Sequence, residues 1–269
     1  MEITMESVKN LREQSGAGIV DCKSALAEAN GDLTVAMEIL RKKGIAKAGK
    51  RSERETNQGV IKSWVSADKK RGHLIELRAE TDFVARNDQF QGLADEILAV
   101  MVEKQPANLD ELLALDLNGH TVKEAVDAMS GVIGEKIVLS NCATLNSQGT
   151  VTAYLHAGGT TGVLLAISRP EAEDMAHDIA MQIAANNPKY LVPADVPVTE
   201  IESEKAIYRE QLSREGKPAE MVEKILEGKV NRYFGEVCLL KQEFIKDEKQ
   251  TIEQFLNGAA IEGFYRFRL

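Results

Sequence analysis

Gly59 and Gly72 stand 13 residues apart, and Gly149 and Gly162 stand 13 apart again about 90 residues further on. Their surroundings recur as well. Gln58-Gly59 opens a run in which Val60, Lys62, Trp64 and Ser66 alternate with Ile61, Ser63 and Val65, the period of a strand. The turn at 67–72 leads to His73-Leu74-Ile75-Glu76-Leu77, which completes a β-hairpin. Gln148-Gly149 opens the second hairpin, and its last strand reads VLLAI. Each hairpin precedes an amphipathic helix, LADEILAVM in one copy and MAHDIAMQI (Met175–Ile183) in the other. In the first copy the helix spans about Gln89–Glu103, with Phe90, Leu93, Ala94, Ile97, Leu98 and Met101 inward. Asp88 and Gln91 have the spacing of a capping pair. A chain that carries this plan twice is predicted to be α+β, with two related subdomains, each a small antiparallel sheet with helices on it.

The region before the first hairpin reads as three short helices. Thr4 caps the first, which buries Val8 and Leu11. Ser15-Gly16-Ala17-Gly18 is a tight turn. Ile19, Cys22, Leu26 and Ala29 recur at helical spacing. Asn30-Gly31-Asp32 ends that helix and caps a third, with Leu33, Ala36, Met37 and Leu40 inward and Gly44 as its end. The chain has one Trp, five Tyr and seven Phe, none of them before Trp64, so this cluster is built from aliphatics. Roughly ten such side chains at about 1.5–3 kcal/mol each oppose the ordering entropy of some 40 residues, which predicts marginal stability in isolation. The later aromatics, seven of them from Tyr233 onward, are expected to fill the second subdomain.

Residues 198–233 interrupt the second copy with a purely helical pattern. Ile201, Lys205, Tyr208 and Leu212 form one stripe and Met221, Ile225, Lys229 and Val230 the return stripe. Gly216-Lys217-Pro218 stops one helix and restarts the next. This predicts an antiparallel helical hairpin projecting as a short coiled coil. The chain then closes with Val237-Cys238-Leu239-Leu240, a helix near Thr251–Asn257 and a last strand at Gly263–Leu269. The expected division is a helical domain with a basic linker at 1–53, a first core subdomain at 54–140, and a second at 141–269 carrying the hairpin insertion.

The net charge of −9 argues against strong nucleic-acid binding, which needs many cations on phosphates. The run Arg41–Arg54 is the exception, with seven basic residues against one acid; it reads as a solvated helix end plus linker. Cys22, Cys142 and Cys238 lack CxxC spacing, so neither a disulfide framework nor a zinc site is expected, and reduced thiols fit a cytosolic protein. MEITMESVKN has no basic segment followed by an apolar run, so no secretory leader is expected. The uncharged stretch from Ile137 to Ser168 is broken by four glycines and by polar residues, so it reads as strands and turns, and no membrane span is expected.

No catalytic motif emerges. GxSxG, HExxH and GxxxxGK[ST] are absent, and His73, His120, His156 and His177 lack ligand spacing, so no catalytic residue, metal site or cofactor is expected. Gly158-Gly159-Thr160-Thr161-Gly162 is followed by a strand, which makes it a hairpin turn and not a phosphate cradle. Cys22, beside Lys23, is either a reactive thiol or a small buried core residue, the reading its stripe favours.

One segment stands out. Gly72 to Leu93 is 21 residues and Gly162 to Met175 is 13, so the first copy carries eight extra residues in or near Thr81–Asp88. Thr81 is placed to cap a short turn with Asp82 and Phe83 in its first positions. Phe83 then either packs under the loop or protrudes as a wedge.

At these residues the chain resembles the bacterial translation elongation factor Ts family. The motifs VKNLREQSGAGIVDCKSALAEANGD, ETDFVARNDQF, YLHAGGTTGVLLAI, NPKYLVPADVP, GKPAEMVEKILEGKVNRYFGEVCLLKQEFIKD and GFYRFRL occur in order and span essentially the whole chain. The resemblance implies that the helical domain is ubiquitin-associated-like. It implies a non-enzymatic guanine-nucleotide exchange factor that binds elongation factor Tu in the cytoplasm. In that role Asp82 and Phe83, completed by Thr81 and Val84, disturb the partner's Mg²⁺ and phosphate sites so that GDP leaves. It further implies partner contacts at Ile19 and Val20 and at His156. Thr160 stands where the family usually has Arg, and the helical tail that some members carry after the last strand is expected to be absent. The hairpin either joins two copies of the chain or meets something else, and the complex is one-to-one or two-to-two. The alternative function is an adaptor that grips another partner through the helical domain.

Overall fold

The computed structural model describes residues 3–269 apart from 16, 50, 52, 216 and 217. Gly16 of the first turn, Lys50 and Ser52 of the basic run, and Gly216-Lys217 of the hairpin turn therefore lie outside the described residues.

The N-terminal cluster is α1 (Met5–Ser15), α2 (Ile19–Glu28) and α3 (Leu33–Gly49). Thr4 Oγ1 accepts the Ser7 N–H at 3.1 Å and Asp32 Oδ1 accepts the Val35 N–H at 3.0 Å, so both caps fall where the sequence puts them. The buried set Val8, Leu11, Cys22, Leu26, Ala36 and Leu40 is wholly non-aromatic. Cys22 is a core residue here, its thiol near Ala17 O and Ser15 Oγ.

Gly44 does not end α3. The helix runs on to Gly49 and crosses α7 (Val122–Ile133) of the core. A Cβ on Gly131 would lie 2.0 Å from the Gly44 Cα, so the two backbones touch directly. The glycine is there for close approach, which a helix-end reading overlooked. The basic run is correspondingly not a free linker. Arg51 Nη1 donates to Ser130 O at 3.1 Å and Arg54 pairs with Glu80 at 3.1 Å.

The first core half is β1 (Gln58–Val65), β2 (Arg71–Ala79), α4 (Asp82–Ala85), α5 (Asp88–Lys104), α6 (Leu109–Ala114), β3 (Asp116–Leu117), β4 (His120–Thr121), α7 and β5 (Ile137–Asn146). The second is β6 (Thr150–His156), β7 (Thr161–Ile167), α8 (Glu173–Asn186), α9 (Val198–Arg214), α10 (Ala219–Val237), β8 (Glu243–Phe244), β9 (Asp247–Thr251), α11 (Ile252–Leu256) and β10 (Ile261–Arg268). Each half holds a three-stranded antiparallel sheet, β1–β2–β5 and β6–β7–β10, with the hairpin's second strand in the centre. The predicted repeat is thus a repeat of topology.

Alternation sorts the strands into two faces. Ile75 and Leu77 of β2 pack on α5 with Phe90, Leu93 and Ile97. Val163, Leu165 and Ile167 of β7 pack on α8 with Ile179 and Ile183. The remaining faces meet each other through Ile61, Leu74, Ala143, Val151, Leu164 and Ala166. The repeat glycines explain that contact. A Cβ on Gly72 would lie 2.6 Å from Leu164 Cδ1, and one on Gly162 would lie 2.4 Å from Ile61 Cγ2 and 3.2 Å from Leu74 Cδ1. Each glycine therefore receives the leucine that follows the other glycine by two residues. Gly59 and Gly149 also correspond, each within its own hairpin, since an added Cβ would meet the backbone of the paired strand, Leu77 O at 2.2 Å and Ile167 O at 1.9 Å.

Some local expectations are revised. The cap of α5 is Asn87, which accepts from Gln89 N at 2.8 Å and Phe90 N at 3.4 Å; Asp88 is already in the helix, and Gln91 Nε2 reaches back to Ala85 O. The helical hairpin extends to Val237, not Tyr233. Its return stripe buries Leu226 and Val230, while Met221 is exposed. At its base Glu200 accepts hydrogen bonds from the hydroxyls of Tyr190, at 2.6 Å, and Tyr233. Of the late aromatics, Phe244, Phe255 and Phe264 enter the second core, whereas Tyr233 and Phe234 pack at the hairpin base and Tyr265 is exposed. Among the described residues no helix is long and apolar enough to cross a membrane.

His73 of β2 is fully buried, stacked on Trp64 with ring centroids 5.5 Å apart, and its Nδ1 sits 2.9 Å from Thr144 Oγ1. Its Nε2 has no hydrogen-bond partner among the described residues. Burial, with a smaller push from Arg71, lowers its pKa to about 4 from the ordinary 6.5. The unfolded chain therefore binds the proton first as pH falls through 6.5, and stability is lost down to about pH 4. Urea unfolding is expected to give about 2 kcal/mol less stability at pH 5 than at pH 7 from this group. His73→Phe is expected to remove that part of the slope, and an unchanged slope would contradict it.

Candidate functional site

The segment singled out by the sequence comes directly after β2. Thr81 has extended backbone angles (φ −123°, ψ 157°) and caps the single turn α4, its Oγ1 accepting the Val84 N–H at 3.4 Å. The turn divides its side chains sharply. Val84 and Ala85 are buried in the first core. Phe83 is 83% exposed, more than any other large apolar side chain among the described residues. Asp82 is half-buried beside it and pairs with Arg86 at 3.1 Å, an i,i+4 pair on the surface that contributes little to stability. A phenylalanine in water gives up the roughly 1.5–3 kcal/mol that burial confers, so its position is unexplained by folding.

The turn is held at both ends. Where the backbone ladder of β2 and β5 stops at Ala79 and Ile137, side chains continue it. The Glu135 carboxylate accepts the Thr81 N–H at 3.0 Å and the Thr81 hydroxyl at 2.8 Å. In return the Glu80 carboxylate accepts the Lys136 N–H and the Arg54 guanidinium. Burial pushes the Glu80 carboxyl up, but those two partners outweigh it and leave its pKa below the ordinary value. At the far end the Asn87 N–H bonds to Val84 O at 2.9 Å, and Asn87 caps α5.

The eight-residue excess over the second copy is not a single insertion. β2 runs seven residues past Gly72 and β7 five past Gly162; the connections are 80–87 and 168–172; the rest lengthens the start of α5. Part of the segment, Val84 and Ala85, serves the fold, and Phe83 does not.

The other sequence-selected residues lie apart from this turn. Ile19 and Val20 begin α2, 50% and 82% exposed, behind Gly18, whose cap position has no side-chain hydrogen bond. His156 ends β6 and is exposed, its Nδ1 2.9 Å from the Tyr154 hydroxyl. The turn after it carries positive φ at Ala157, Gly158 and Gly159, and Thr160 is exposed beside it. Glu80, Glu135 and Asn87 were not singled out from sequence; Glu135 is 54 residues from Thr81, and no local pattern links them. Among the described residues no group of three or more His, Cys, Asp or Glu is placed to hold a metal ion.

A family profile described as Elongation factor TS matches residues 80–269. Elongation factor Ts of Aquifex aeolicus (strain VF5) is 43% identical over 285 positions, covering 100% of this chain and 98% of the relative. The Elongation factor Ts of Hydrogenobaculum sp. (strain Y04AAS1) is 45% identical, covering 100% and 99%. That of Halothermothrix orenii is 41% identical, covering 100% and 93%. With identity at this level from end to end, the chain belongs to the elongation factor Ts family and is a translation elongation factor.

Proposed function

We propose that the chain is a guanine-nucleotide exchange factor, acting in the cytoplasm without catalysing covalent chemistry. It binds elongation factor Tu carrying GDP, dislodges Mg²⁺ and lets the nucleotide leave. The observation that carries this reading is Phe83, an exposed aromatic on a turn fixed at both ends. In the complex Asp82 and Phe83 enter the partner beside its nucleotide site. Thr81 caps the turn, and Val84 anchors it from inside the core. Ile19 and Val20 supply an apolar contact from the helical domain, and His156 with its glycine turn meets another part of the partner. The factor and Mg²⁺–GDP favour different states of the partner, so each weakens the other's binding by the same factor. Loss of the ion matters because it screens the diphosphate charge.

The test is release of a fluorescent GDP from elongation factor Tu on adding this protein. Release is expected to accelerate with increasing protein and to slow again as Mg²⁺ is raised. Equal rates with and without the protein would refute the proposal. Retention of a different dominant partner from a bacterial lysate would favour an adaptor.

A further inference from the structure

Among the described residues the carboxylate of Glu135 has two hydrogen bonds, and both go to Thr81. One oxygen takes the N–H and the other the hydroxyl, so Thr81 is fixed in position and in rotamer together. That rotamer matters, because the same hydroxyl oxygen accepts the Val84 N–H and caps α4. The backbone of Glu135 is itself held. It follows Gly134, which ends α7 at φ +89°, and Ser130 Oγ donates to Glu135 O at 2.5 Å. Lys136, the next residue, donates its N–H to Glu80. Two adjacent residues of one strand end thus clasp two adjacent residues of the other, each through a carboxylate.

We propose that Glu135 is a positioning residue for the Asp82–Phe83 turn, presenting Phe83 in advance of contact with a partner. The inference rests on the wedge role given to Phe83 above. A four-residue helix has one turn of backbone bonding and little stability of its own. Val84 and Ala85 pin its inner side, and the Thr81 clasp pins its start. Without the clasp the partner must order the turn as Phe83 inserts, and that ordering subtracts from the binding free energy. Glu135 touches no part of the turn beyond Thr81 in the hydrogen bonds described, so its influence on Phe83 passes through the cap.

The experiment uses full-length wild type, Glu135→Gln, Phe83→Ala and the double variant. In the free protein, amide hydrogen exchange at Thr81 and Ala85 is expected to quicken at least tenfold in Glu135→Gln, with β2 and β5 as protected as in wild type. Equal protection at Thr81 and Ala85 would overturn the clasp whatever Phe83 does. In fluorescent-GDP release from elongation factor Tu, Glu135→Gln is expected to act about tenfold more slowly than wild type, as for loss of one charge-assisted hydrogen bond. On top of Phe83→Ala it is expected to have no further effect. The same tenfold loss in both backgrounds would mean that Glu135 acts elsewhere, and would overturn the proposal. Wild-type release by Glu135→Gln beside an impaired Phe83→Ala would sink the positioning role alone. Wild-type release by Phe83→Ala would sink the wedge and the positioning role with it.

Discussion

Phe83→Ala is expected to slow factor-dependent GDP release by about 10- to 150-fold and to leave the folded chain as stable as before. The two halves of that expectation have one cause. The side chain is 83% exposed, so the free protein has almost no burial to lose. In a complex that covers it, the lost burial is worth about 1.5–3 kcal/mol, and each 1.4 kcal/mol or so is a factor of ten. A loss beyond that range would show that the backbone of the turn and the disturbed Mg²⁺ site also depend on the ring. Asp82→Ala gives a useful comparison, because the Asp82–Arg86 pair lies at the surface with Asp82 only half-buried, and removing such a pair costs the fold little. The paired measurement is a stopped-flow trace and a melting curve for each variant. A Phe83→Ala protein that melts several degrees lower would mean that the ring supports the fold after all.

The second large effect is structural. Gly162→Val is expected to destabilise the chain by about 3 kcal/mol or more, at the upper end of the range for overpacking a core. The first added carbon would already stand 2.4 Å from Ile61 Cγ2 and 3.1 Å from Leu155 Cδ2. The Ile61 methyl is on a β-branched side chain with little rotamer freedom, and Ile61 and Leu74 are fully buried, whereas Leu155 is partly exposed and can give way. Gly72→Val meets Leu164 and Val151 in the same manner and is expected to cost a similar amount. Gly92→Ala is the control. It lies in α5 with nothing within 4 Å of the added carbon, so helix propensity alone predicts a gain of about 1 kcal/mol. Urea titration of the three variants decides the matter, and a neutral Gly162→Val would mean that the two sheets are not pressed together as described.

The glycines also mark how far the sequence could be read. Spacing alone revealed the doubled hairpin, because Gly59, Gly72, Gly149 and Gly162 each answer a steric demand that both halves share. Thr81 was legible as a cap, since capping is local chemistry between a hydroxyl and an N–H three residues on. The stretch 105–136 went unread although it holds a full capping box at Thr121 and Glu124. Only α6, β3 and β4 are too short for an apolar period to show; α7 repeats Val122, Val126, Met129 and Ile133 at helical spacing and is legible in the sequence. Gly44 was misread because a glycine that ends a helix and one that lets two helices touch look the same in one dimension. Its partner, Gly131, is 87 residues away. Glu135 was invisible for the same reason, as its bond to Thr81 is a fact of strand pairing and not of spacing. In the hairpin the stripe ran to Met221, where the observed burial prefers Leu226; two adjacent apolar rows on one helix leave a sequence reading free to choose the wrong one.

The leucine-for-glycine exchange between the two sheets also sets an order of events during synthesis. The first sheet is complete once Asn146 has emerged, yet one of its faces, with Ile61, Leu74 and Ala143, waits for Leu164 and Ala166. At roughly 5–20 residues per second, that apolar face is uncovered for on the order of one to four seconds. The central strand of the second sheet waits longer, since β10, its partner on one side, is the last strand of the chain. The nascent chain therefore carries an open sheet edge at β7 until β10 has emerged, and the apolar residues flanking that edge are the ones for which a chaperone at the ribosome exit would compete.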